Sequence, residues 1–366
     1  MTDRILILAN SVYQLFTAVH LRRTLLRNRQ ADLILTDILP NRDAAAQRIQ
    51  ETGLFGRVLT AQTAAFNREY AGKKGCDLDP AFRDIPRRLD WILSGELDCY
   101  SAVYFSNFDP FARLLACCFY ALPCDFFCYE DGFSSYVIDY LREDRAPINR
   151  HSEGRKIADK VCGVLLYEPN LARRGDGLPN LPIPRIDPAD LELRALLNRI
   201  FDYHPSHFPA DFIFLEQSFR AEGIRTNDLE LMRLCREAVG PGRFAVKPHP
   251  RNPENRPFQL GLTRKYPVDV PWELFLLNEE RPSSTVITVC SNAALTPRIV
   301  FGMDRNTVML YHLFSGKILW KEDAVLRRYL HQFHRQFAGK HYYVPRTEYE
   351  LKEILYYLGG PHEPTD

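Results

Sequence analysis

The sequence lacks both of the glycine-rich phosphate-binding motifs that are common in α/β nucleotide-binding proteins. Across its 366 residues there is no G-x-G-x-x-G and no G-x-x-x-x-G-K-[ST]. Such loops present backbone N–H groups to a pyrophosphate, so their absence disfavours a nicotinamide-dependent oxidoreductase and a P-loop ATPase. Internal repeats and low-complexity tracts are absent too, which excludes a repeat architecture.

The sequence also has little net charge and no long apolar run. Its 47 basic and 46 acidic side chains leave a net charge of +1, so no overall field favours nucleic acid as a partner. No segment approaches 18 consecutive apolar residues, and residues 1–16 are too polar for a signal or membrane-spanning segment. We therefore expect a cytoplasmic protein that binds no nucleic acid.

The nine cysteines are an odd number and do not have the spacing of a disulfide framework. Cys124 and Cys128 have no second pair of ligands nearby in sequence that would complete a zinc site. We predict reduced, mostly buried thiols and no metal centre.

Short apolar runs alternate with helix-period segments along most of the chain. This alternation is typical of βαβ units and predicts an α/β protein with parallel sheets. The predicted strands of the first half are 4–9, 31–36, 57–60, 102–105, 124–129 and 163–168, and those of the second half are 211–217, 243–250, 285–290 and 307–311.

The segment 173–190, "RRGDGLPNLPIPRIDPAD", is rich in proline, glycine and aspartate and has few periodic apolar residues. This composition predicts a linker. We accordingly predict two Rossmann-like domains, 1–185 and 186–366, with a helix over 191–201 as the first element of the second domain.

Polar side chains follow five of the predicted strands directly. Ligands of parallel α/β sheets bind outside the carboxyl ends of the strands, so these positions are the candidates for a site. In the first half they are Asn10, Ser11, Tyr13 and Gln14, then Ser106, Asn107 and Asp109, then Glu130, Asp131 and Gly132; in the second half they are Lys247 with His249, and Ser291 with Asn292.

The stretch "YEDG" places two carboxylates, Glu130 and Asp131, before Gly132. A carboxylate before glycine is most often a turn residue, because aspartate bonds local N–H groups and glycine tolerates positive φ. Two adjacent like charges that are partly desolvated would instead raise one pKa and provide a general base. From these residues alone both interpretations stay open.

Two stretches of the second half could bind an anion. In "VKPHPRNPE" the prolines Pro248 and Pro250 restrict the backbone around His249, and Lys247 is a cation close by, although a stiff surface loop has the same pattern. In "TVITVCSNAALTPRIVFG" Ser291 or Asn292 is a natural N-cap for a helix whose first turn could bind a phosphate, although capping alone explains the same residues.

His331 and His334 lie three residues apart in an arginine-rich helical segment. A solvated amphipathic face explains this spacing better than a metal site does. The same face could contact acidic membrane lipids, so association with the inner face of the cytoplasmic membrane is retained as an alternative.

Taken in order, the first strand with Gln14, then "YEDG", "KPHP" and "CSNAALT", resemble bacterial glycosyltransferase family 52, the lipooligosaccharide and capsule sialyltransferases. The acidic-acidic-Gly motif of that family and its relatives matches Glu130, Asp131 and Gly132. Their His-Pro motif matches His249 and Pro250, and their Ser/Thr-Ser motif matches Ser291, with Cys290 where Ser or Thr is common. The resemblance extends from about Ile5 to about Tyr311.

This resemblance implies a GT-B architecture, in which two Rossmann-like domains face a central cleft and the C-terminal domain binds the nucleotide-sugar donor. It implies an inverting, metal-independent transfer of sialic acid from CMP-sialic acid to a sugar hydroxyl of a cell-surface glycan, with no cofactor. A homodimer is also expected from the resemblance.

The resemblance implies a role for each candidate residue. Asp131 is the first candidate for the general base, with Glu130 and Glu216 as alternatives, and His249 protonates or hydrogen-bonds the departing phosphate. The expected donor-binding residues are Lys247, Pro250, Ser291, Asn292, Gln217 and Gly132, and the expected acceptor-binding residues are Asn10, Ser11, Gln14, Ser106 and Asn107.

The motifs leave the donor sugar open. CMP-Kdo, another nonulosonic acid or a UDP-hexose would suit the same scaffold, because donor specificity depends on pocket shape. A nucleotide-sugar-binding protein without catalytic activity is a further alternative, which is disfavoured because all three motifs carry chemically competent side chains.

Overall fold

The structure is a computed structural model, and its chain divides into two compact units, Met1–Tyr203 and His204–Asp366. Each unit is described by itself. The residues that the structure describes are 3–148, 156–205, 210–249, 251–252, 256–262, 270–278, 284–316, 324–337 and 340–360.

The first unit contains a sheet of seven parallel strands in the order β3-β2-β1-β4-β5-β6-β7. In this Rossmann-type order the direction of strand addition reverses between β1 and β4, which is where such sheets bind ligands. The strands are β1 Arg4–Ala9, β2 Gln30–Thr36, β3 Val58–Ala61, β4 Ala102–Phe105, β5 Asp125–Tyr129, β6 Val161–Leu166 and β7 Asn180–Pro182.

Eight α-helices of the first unit are described. They are α1 Val12–Arg23, α2 Arg42–Thr52, α3 Ala64–Tyr70, α4 Asp79–Phe82, α5 Ile85–Ile92, α6 Pro110–Phe119, α7 Ser134–Val137 and α8 Leu191–Phe201. Helix-bearing connections cover both faces of a parallel sheet, and the central strands are accordingly continuous apolar runs. In β1, the five residues from Ile5 to Ala9 are all fully buried.

The segment 173–190, which the sequence predicts as a linker, is part of the first unit. Within it β7 pairs with β6 at the edge of the sheet, and Arg174 and Asp176 form an ion pair whose side chains are almost fully buried. After this segment α8 packs against α1 and α2, and Arg48 Nε donates to the carbonyl of Ile200 at 2.8 Å. The division between the units therefore lies after Tyr203 rather than after residue 185. The composition was misleading because a proline-rich segment can form an edge strand as well as a linker.

The second unit contains a sheet of five parallel strands in the order β12-β11-β10-β8-β9. The reversal of strand addition in this sheet lies between β8 and β10. The strands are β8 Phe212–Leu215, β9 Phe244–Lys247, β10 Thr285–Thr288, β11 Thr307–Met309 and β12 Tyr342–Tyr343, and the described α-helices are α9 Asp228–Val239, α10 Arg256–Gln259, α11 Trp272–Asn278, α12 Thr296–Phe301, α13 Ala324–Phe337 and α14 Glu348–Gly359.

The predicted α/β class with two Rossmann-like domains is confirmed. All nine cysteines are free thiols, and six of them are buried or half-buried. Within the described ranges, no helix is both long enough and apolar enough to cross a lipid bilayer.

Candidate functional site

The candidate residues of the first unit lie at one edge of its sheet. Strands β1, β4 and β5 are neighbours, so the segments that follow them run side by side at the carboxyl ends of the strands. The structure thereby brings together the residues after Ala9, the residues after Phe105 and the "YEDG" turn, as the sequence predicts.

Glu130 is a fully buried carboxylate with several donors. Its Oε1 accepts from the Tyr13 hydroxyl at 2.9 Å, and its Oε2 accepts from the Tyr136 hydroxyl and from the Tyr167 backbone N–H. These contacts connect α1, α7 and the end of β6. A carboxylate held this way is poorly placed to take a proton from a ligand, so the geometry favours a structural role for Glu130 over a role as base.

Asp131 is half-buried, and the backbone around it is held in place by two serines. Its N–H donates to Ser135 Oγ at 2.7 Å, and its carbonyl accepts from Ser134 Oγ at 2.9 Å. Gly132 follows at a φ of +69°, a conformation that residues with a side chain rarely adopt. Burial first, and then the negative charge of Asp131, raise the pKa of the Tyr140 hydroxyl. Asp131 is thus the less buried of the two carboxylates in this turn.

A polar network crosses the point between β1 and β4 where strand addition reverses. Asp109 Oδ2 accepts from Asn10 Nδ2 at 3.2 Å and from Asn67 Nδ2 at 2.9 Å, and its Oδ1 caps α6 by accepting from Ala112 N. Burial raises the pKa of Asp109 in spite of these donors. The sequence does not predict Asn67 as a site residue, because it lies on α3 and no motif marks it.

The predicted acceptor-binding residues partly have local structural roles. Gln14 Oε1 accepts from the Asn10 backbone N–H at 2.6 Å, and Ser11 Oγ caps α1 by accepting from Gln14 N. Ser106 is buried beside the Tyr129 hydroxyl. In contrast, Asn10 Oδ1 and Asn107 Oδ1 are buried acceptors without a donor among the described residues. Buried acceptors are normally satisfied, so these two atoms suit a ligand rich in hydroxyl groups.

The candidate residues of the second unit also lie at one edge of its sheet, because β9, β8 and β10 are neighbours. Gln217 connects the segments there: its Oε1 accepts from Cys290 N at 2.7 Å, and its carbonyl accepts from Asn252 Nδ2 at 3.1 Å. The first of these bonds spans the point between β8 and β10 where strand addition reverses. Gln217 therefore fixes the two predicted anion-binding stretches relative to each other.

His249 is held as a neutral imidazole. Its Nδ1 accepts from the Arg251 backbone N–H at 3.2 Å, which leaves the ring proton on Nε2. Burial and the positive charges of Arg251 and Lys247 lower the pKa of His249 to about 4. At neutral pH its Nε2–H is accordingly a hydrogen-bond donor that suits an anionic oxygen.

Glu216, an alternative candidate for the base, lies beneath this histidine. Its side chain is buried, its Oε2 accepts from the His249 backbone N–H at 2.8 Å, and it forms an ion pair with Arg220. Arg220 also pairs with Asp228 at 3.1 Å. Both oxygens of this buried carboxylate are engaged, by the His249 backbone and by Arg220, so the geometry favours Glu216 as an anchor of the His249 loop.

Lys247 and Glu273 form a buried charged cluster behind the loop. Lys247 is 6% exposed, and its Nζ lies 5.4 Å from the centre of the Phe275 ring. Glu273 is 3% exposed and interacts with Thr296 and with the charge of Lys247, and burial raises its pKa to about 7. The sequence does not predict Glu273, because it lies in α11 outside every motif.

The raised pKa of Glu273 predicts a pH-dependent stability. A carboxyl group whose pKa is about 7 in the folded state and about 4.5 in the unfolded state favours folding below pH 4.5, and this contribution is lost as the pH rises through 7. The difference corresponds to about 3 kcal/mol. We expect Glu273→Gln, which keeps a neutral side chain, to gain thermal stability relative to the parent protein between pH 5 and pH 8 in scanning fluorimetry. A difference in melting temperature that stays constant with pH would contradict this assignment.

Ser291 and Asn292 form the third segment of this edge. Ser291 Oγ accepts from Ala293 N at 3.3 Å, and residues Asn292–Ala294 form a 3-10 turn. The α-helix that the sequence predicts from Asn292 begins only at Thr296, because Pro297 suits the first turn of a helix and not its interior. Asn292 Oδ1 accepts from the Tyr329 hydroxyl at 3.2 Å. Pro250, predicted to bind the donor, lies outside the described residues.

The sequence contains one D-x-D triplet, Asp77-Leu78-Asp79, the type of motif that can bind a divalent cation. Asp77 is exposed in a 3-10 turn, whereas Asp79 is buried at the start of α4. In the part of the chain that the structure describes, no three His, Cys, Asp or Glu side chains gather in a way that could hold a metal ion.

No protein-family model matches the sequence, and no curated protein sequence matches it significantly. Solved structures do match. The α/β-galactoside α-2,3-sialyltransferase of Photobacterium phosphoreum is similar with a TM-score of 0.52 at 12% identity, over 93% of this chain and 98% of that chain. A kitacinnamycin glycosyltransferase gives a TM-score of 0.53 at 11% identity, over 98% and 91%. A putative UDP-N-acetylglucosamine 2-epimerase of Listeria monocytogenes gives 0.50 at 8% identity, over 98% and 88%.

These comparisons define the class of fold. The chain has the two-unit α/β architecture of GT-B glycosyltransferases, which confirms the predicted fold class. Identities near 10% show the fold alone, and the similar structures include both transferases and a putative epimerase. A reaction for this chain has to be argued from its own residues.

Proposed function

We propose that this protein is an inverting glycosyltransferase that moves sialic acid from CMP-sialic acid to a terminal sugar hydroxyl of a cell-surface glycan, such as lipooligosaccharide or capsule. The observation that carries the proposal is His249, a neutral imidazole with its proton on Nε2, close to two cations at the carboxyl end of β9, beside β8. A neutral N–H donor beside cations can stabilise the negative charge that develops on a phosphate as it leaves.

The second unit is assigned to the donor. His249 Nε2–H donates to the departing phosphate oxygen, and the Lys247 ammonium lowers the energy of the charge that accumulates there. Gln217 keeps the His249 loop and the Ser291 turn in register through its bonds to Cys290 and Asn252. The hydroxyl of Ser291 and the amide of Asn292 are expected to donate to the same phosphate.

The first unit is assigned to the acceptor and the base. Asp131 takes the proton of the acceptor hydroxyl as its oxygen bonds to the anomeric carbon, while the bond from that carbon to the phosphate oxygen breaks and CMP leaves. The unsatisfied oxygens of Asn10 and Asn107 are expected to accept from hydroxyl groups of the glycan. Glu130 supports this edge without exchanging protons.

The similar structures support the proposal at the level of the fold. One is described as a sialyltransferase and another as a glycosyltransferase. CMP-sialic acid is the donor that the resemblance implies, and CMP-Kdo, another nonulosonic acid and a UDP-hexose are the alternatives, since donor specificity depends on pocket shape.

A donor screen tests the proposal. The purified protein is incubated with CMP-sialic acid, CMP-Kdo, UDP-glucose and UDP-N-acetylglucosamine, each with and without a galactose-terminated acceptor, and the products are separated by liquid chromatography against epimer standards and then measured by mass spectrometry. We expect transfer and slow hydrolysis with CMP-sialic acid. Transfer from another donor would correct the sugar, and conversion of UDP-N-acetylglucosamine to its epimer would replace the proposed reaction class. CMP binding without transfer or hydrolysis would indicate a nucleotide-sugar-binding protein.

Three further properties are part of the proposal: metal independence and a homodimer follow from the resemblance, and membrane association follows from the amphipathic face around His331 and His334. We expect transfer to persist in the presence of EDTA, since a metal-independent enzyme needs no cation to stabilise the leaving phosphate. We expect a homodimer in light scattering and peripheral association with the cytoplasmic face of the membrane, where glycan acceptors carried on lipids are presented.

A further inference from the structure

We propose that Tyr329 is a positioning residue for the donor site, which orients the Asn292 amide so that its NH2 group faces an anionic ligand. This inference deepens the proposed function and rests on it. It assigns a ligand-related role to α13, a helix for which the sequence predicts a solvated amphipathic face or a membrane contact.

The inner face of α13 is firmly packed. Tyr329 and Phe333 are fully buried, and the Phe333 ring lies 5.4 Å from the Tyr342 ring of β12. At the end of the helix, the guanidinium of Arg298 lies 4.8 Å from the centre of the Phe337 ring and thereby connects α13 with α12. A tyrosine in such surroundings has little freedom to move, so the direction of its hydroxyl is set by the fold.

The hydroxyl of Tyr329 donates to Asn292 Oδ1 at 3.2 Å. An amide side chain presents its oxygen on one side and its NH2 group on the other, so a hydroxyl that donates to the oxygen leaves the NH2 group directed away from Tyr329. Among the described residues, no acceptor lies within hydrogen-bonding distance of Asn292 Nδ2. Asn292 is half-buried, which leaves that NH2 group available to a ligand.

The orientation decides which ligands Asn292 can recognise. With its NH2 group outward the residue donates to phosphate oxygens, whereas a rotated amide would present Oδ1 and repel them. Asn292 directly follows Ser291 at the carboxyl edge of the sheet, where the neighbouring strands contribute Gln217 and His249. Tyr329 therefore makes this turn selective for an anion without contacting the ligand itself.

A double-mutant cycle on the full-length protein tests this role, with CMP binding measured by calorimetry and KM for CMP-sialic acid measured by transfer. We expect Tyr329→Phe to raise the CMP dissociation constant and KM about five- to tenfold, the effect of one hydrogen bond, with kcat changed less than twofold. In an Asn292→Ala background, the same replacement is expected to have less than a twofold effect. Tyr349→Phe, at a 73% exposed tyrosine of α14, is the matched control and is expected to change neither constant.

Asn292→Asp is a second variant that keeps the acceptor for Tyr329 but places a carboxylate oxygen toward the ligand. We expect it to weaken CMP binding at least tenfold more than Asn292→Ala does. Equal effects of Tyr329→Phe in both backgrounds, or none in the parent background, would overturn the inference. Absence of binding of both CMP and UDP to the parent protein would instead overturn the proposed function, and this inference with it.

Discussion

Replacement of Asp131 by asparagine is expected to lower kcat for glycosyl transfer by about 10²- to 10⁴-fold, which is the usual contribution of a general base. The donor KM should change only a few-fold, because donor binding is assigned to the second unit. Asparagine keeps the size and polarity of the side chain, and the bonds that Ser135 Oγ and Ser134 Oγ form with the backbone of residue 131 do not depend on the carboxylate. Steady-state kinetics with CMP-sialic acid and a saturating acceptor measure both constants.

Glu130→Gln is the matched control, since the two carboxylates are neighbours in sequence. In this variant an NH2 group replaces one of the two acceptor oxygens and would face a hydroxyl or an N–H donor. We therefore expect a stability loss of about 1–3 kcal/mol. The folded fraction should retain transfer activity. If Glu130→Gln abolished kcat without changing the melting temperature while Asp131→Asn remained active, the base would be Glu130 and the assignment of Asp131 would be wrong.

The position of the candidate sites at the two sheet edges could be predicted from the sequence for a simple geometric reason. Apolar runs such as "RILILA" and "AVYF" become strands, and the first polar residues after them emerge at the carboxyl edge whatever the details of packing. The candidate residues come together because β1, β4 and β5 are neighbours in the sheet. The right-handed crossover rule makes such an arrangement common. The same reasoning gathers Gln217, His249 and Ser291 in the second unit.

The division of roles among neighbouring carboxylates could not be predicted, because it depends on side-chain direction. Glu130 and Asp131 differ by one position, and successive residues of an extended chain point to opposite sides. One side chain enters the core between three tyrosines and the other stays half-buried. Glu216 is chemically as suitable as Asp131, yet its pairing with Arg220 becomes visible only in three dimensions.

Residues contributed by helices were missed for a related reason. Asn67, Glu273 and Tyr329 lie on α3, α11 and α13. The sequence pattern predicts an amphipathic helix around Tyr329 and marks no site residue in any of the three stretches. Helix packing brings them to the sheet edges, and no local motif encodes that approach. The segment 173–190 was wrongly predicted to be a linker. It contains the edge strand β7, and prolines are compatible with an edge strand.

Replacement of His249 by alanine is expected to lower kcat/KM by about 10²- to 10³-fold. This is the usual cost of losing one preorganised hydrogen-bond donor to a developing charge. His331→Ala is the matched control, because His331 is an exposed histidine of α13 with no role in the proposed site. It should leave transfer unchanged. Retention of near-normal transfer by both His249→Ala and Asp131→Asn would overturn the proposed mechanism.

The pH profile distinguishes the neutral donor role of His249 from that of a conventional acid. A histidine whose pKa was near 6.5 would lose its proton as the pH rises through that value, and kcat/KM would fall with it. Since burial, Arg251 and Lys247 lower the pKa of His249 to about 4, its imidazole is already neutral in the free protein at pH 5.5 and keeps its Nε2–H above that pH. We therefore expect His249 to cause no rise or fall of kcat/KM for CMP-sialic acid between pH 5.5 and 8. The pH profiles of the parent protein and of His249→Gln should have the same shape in this range. A limb near pH 6.5 that vanishes in this variant would show that the imidazolium, rather than the neutral ring, serves the departing phosphate.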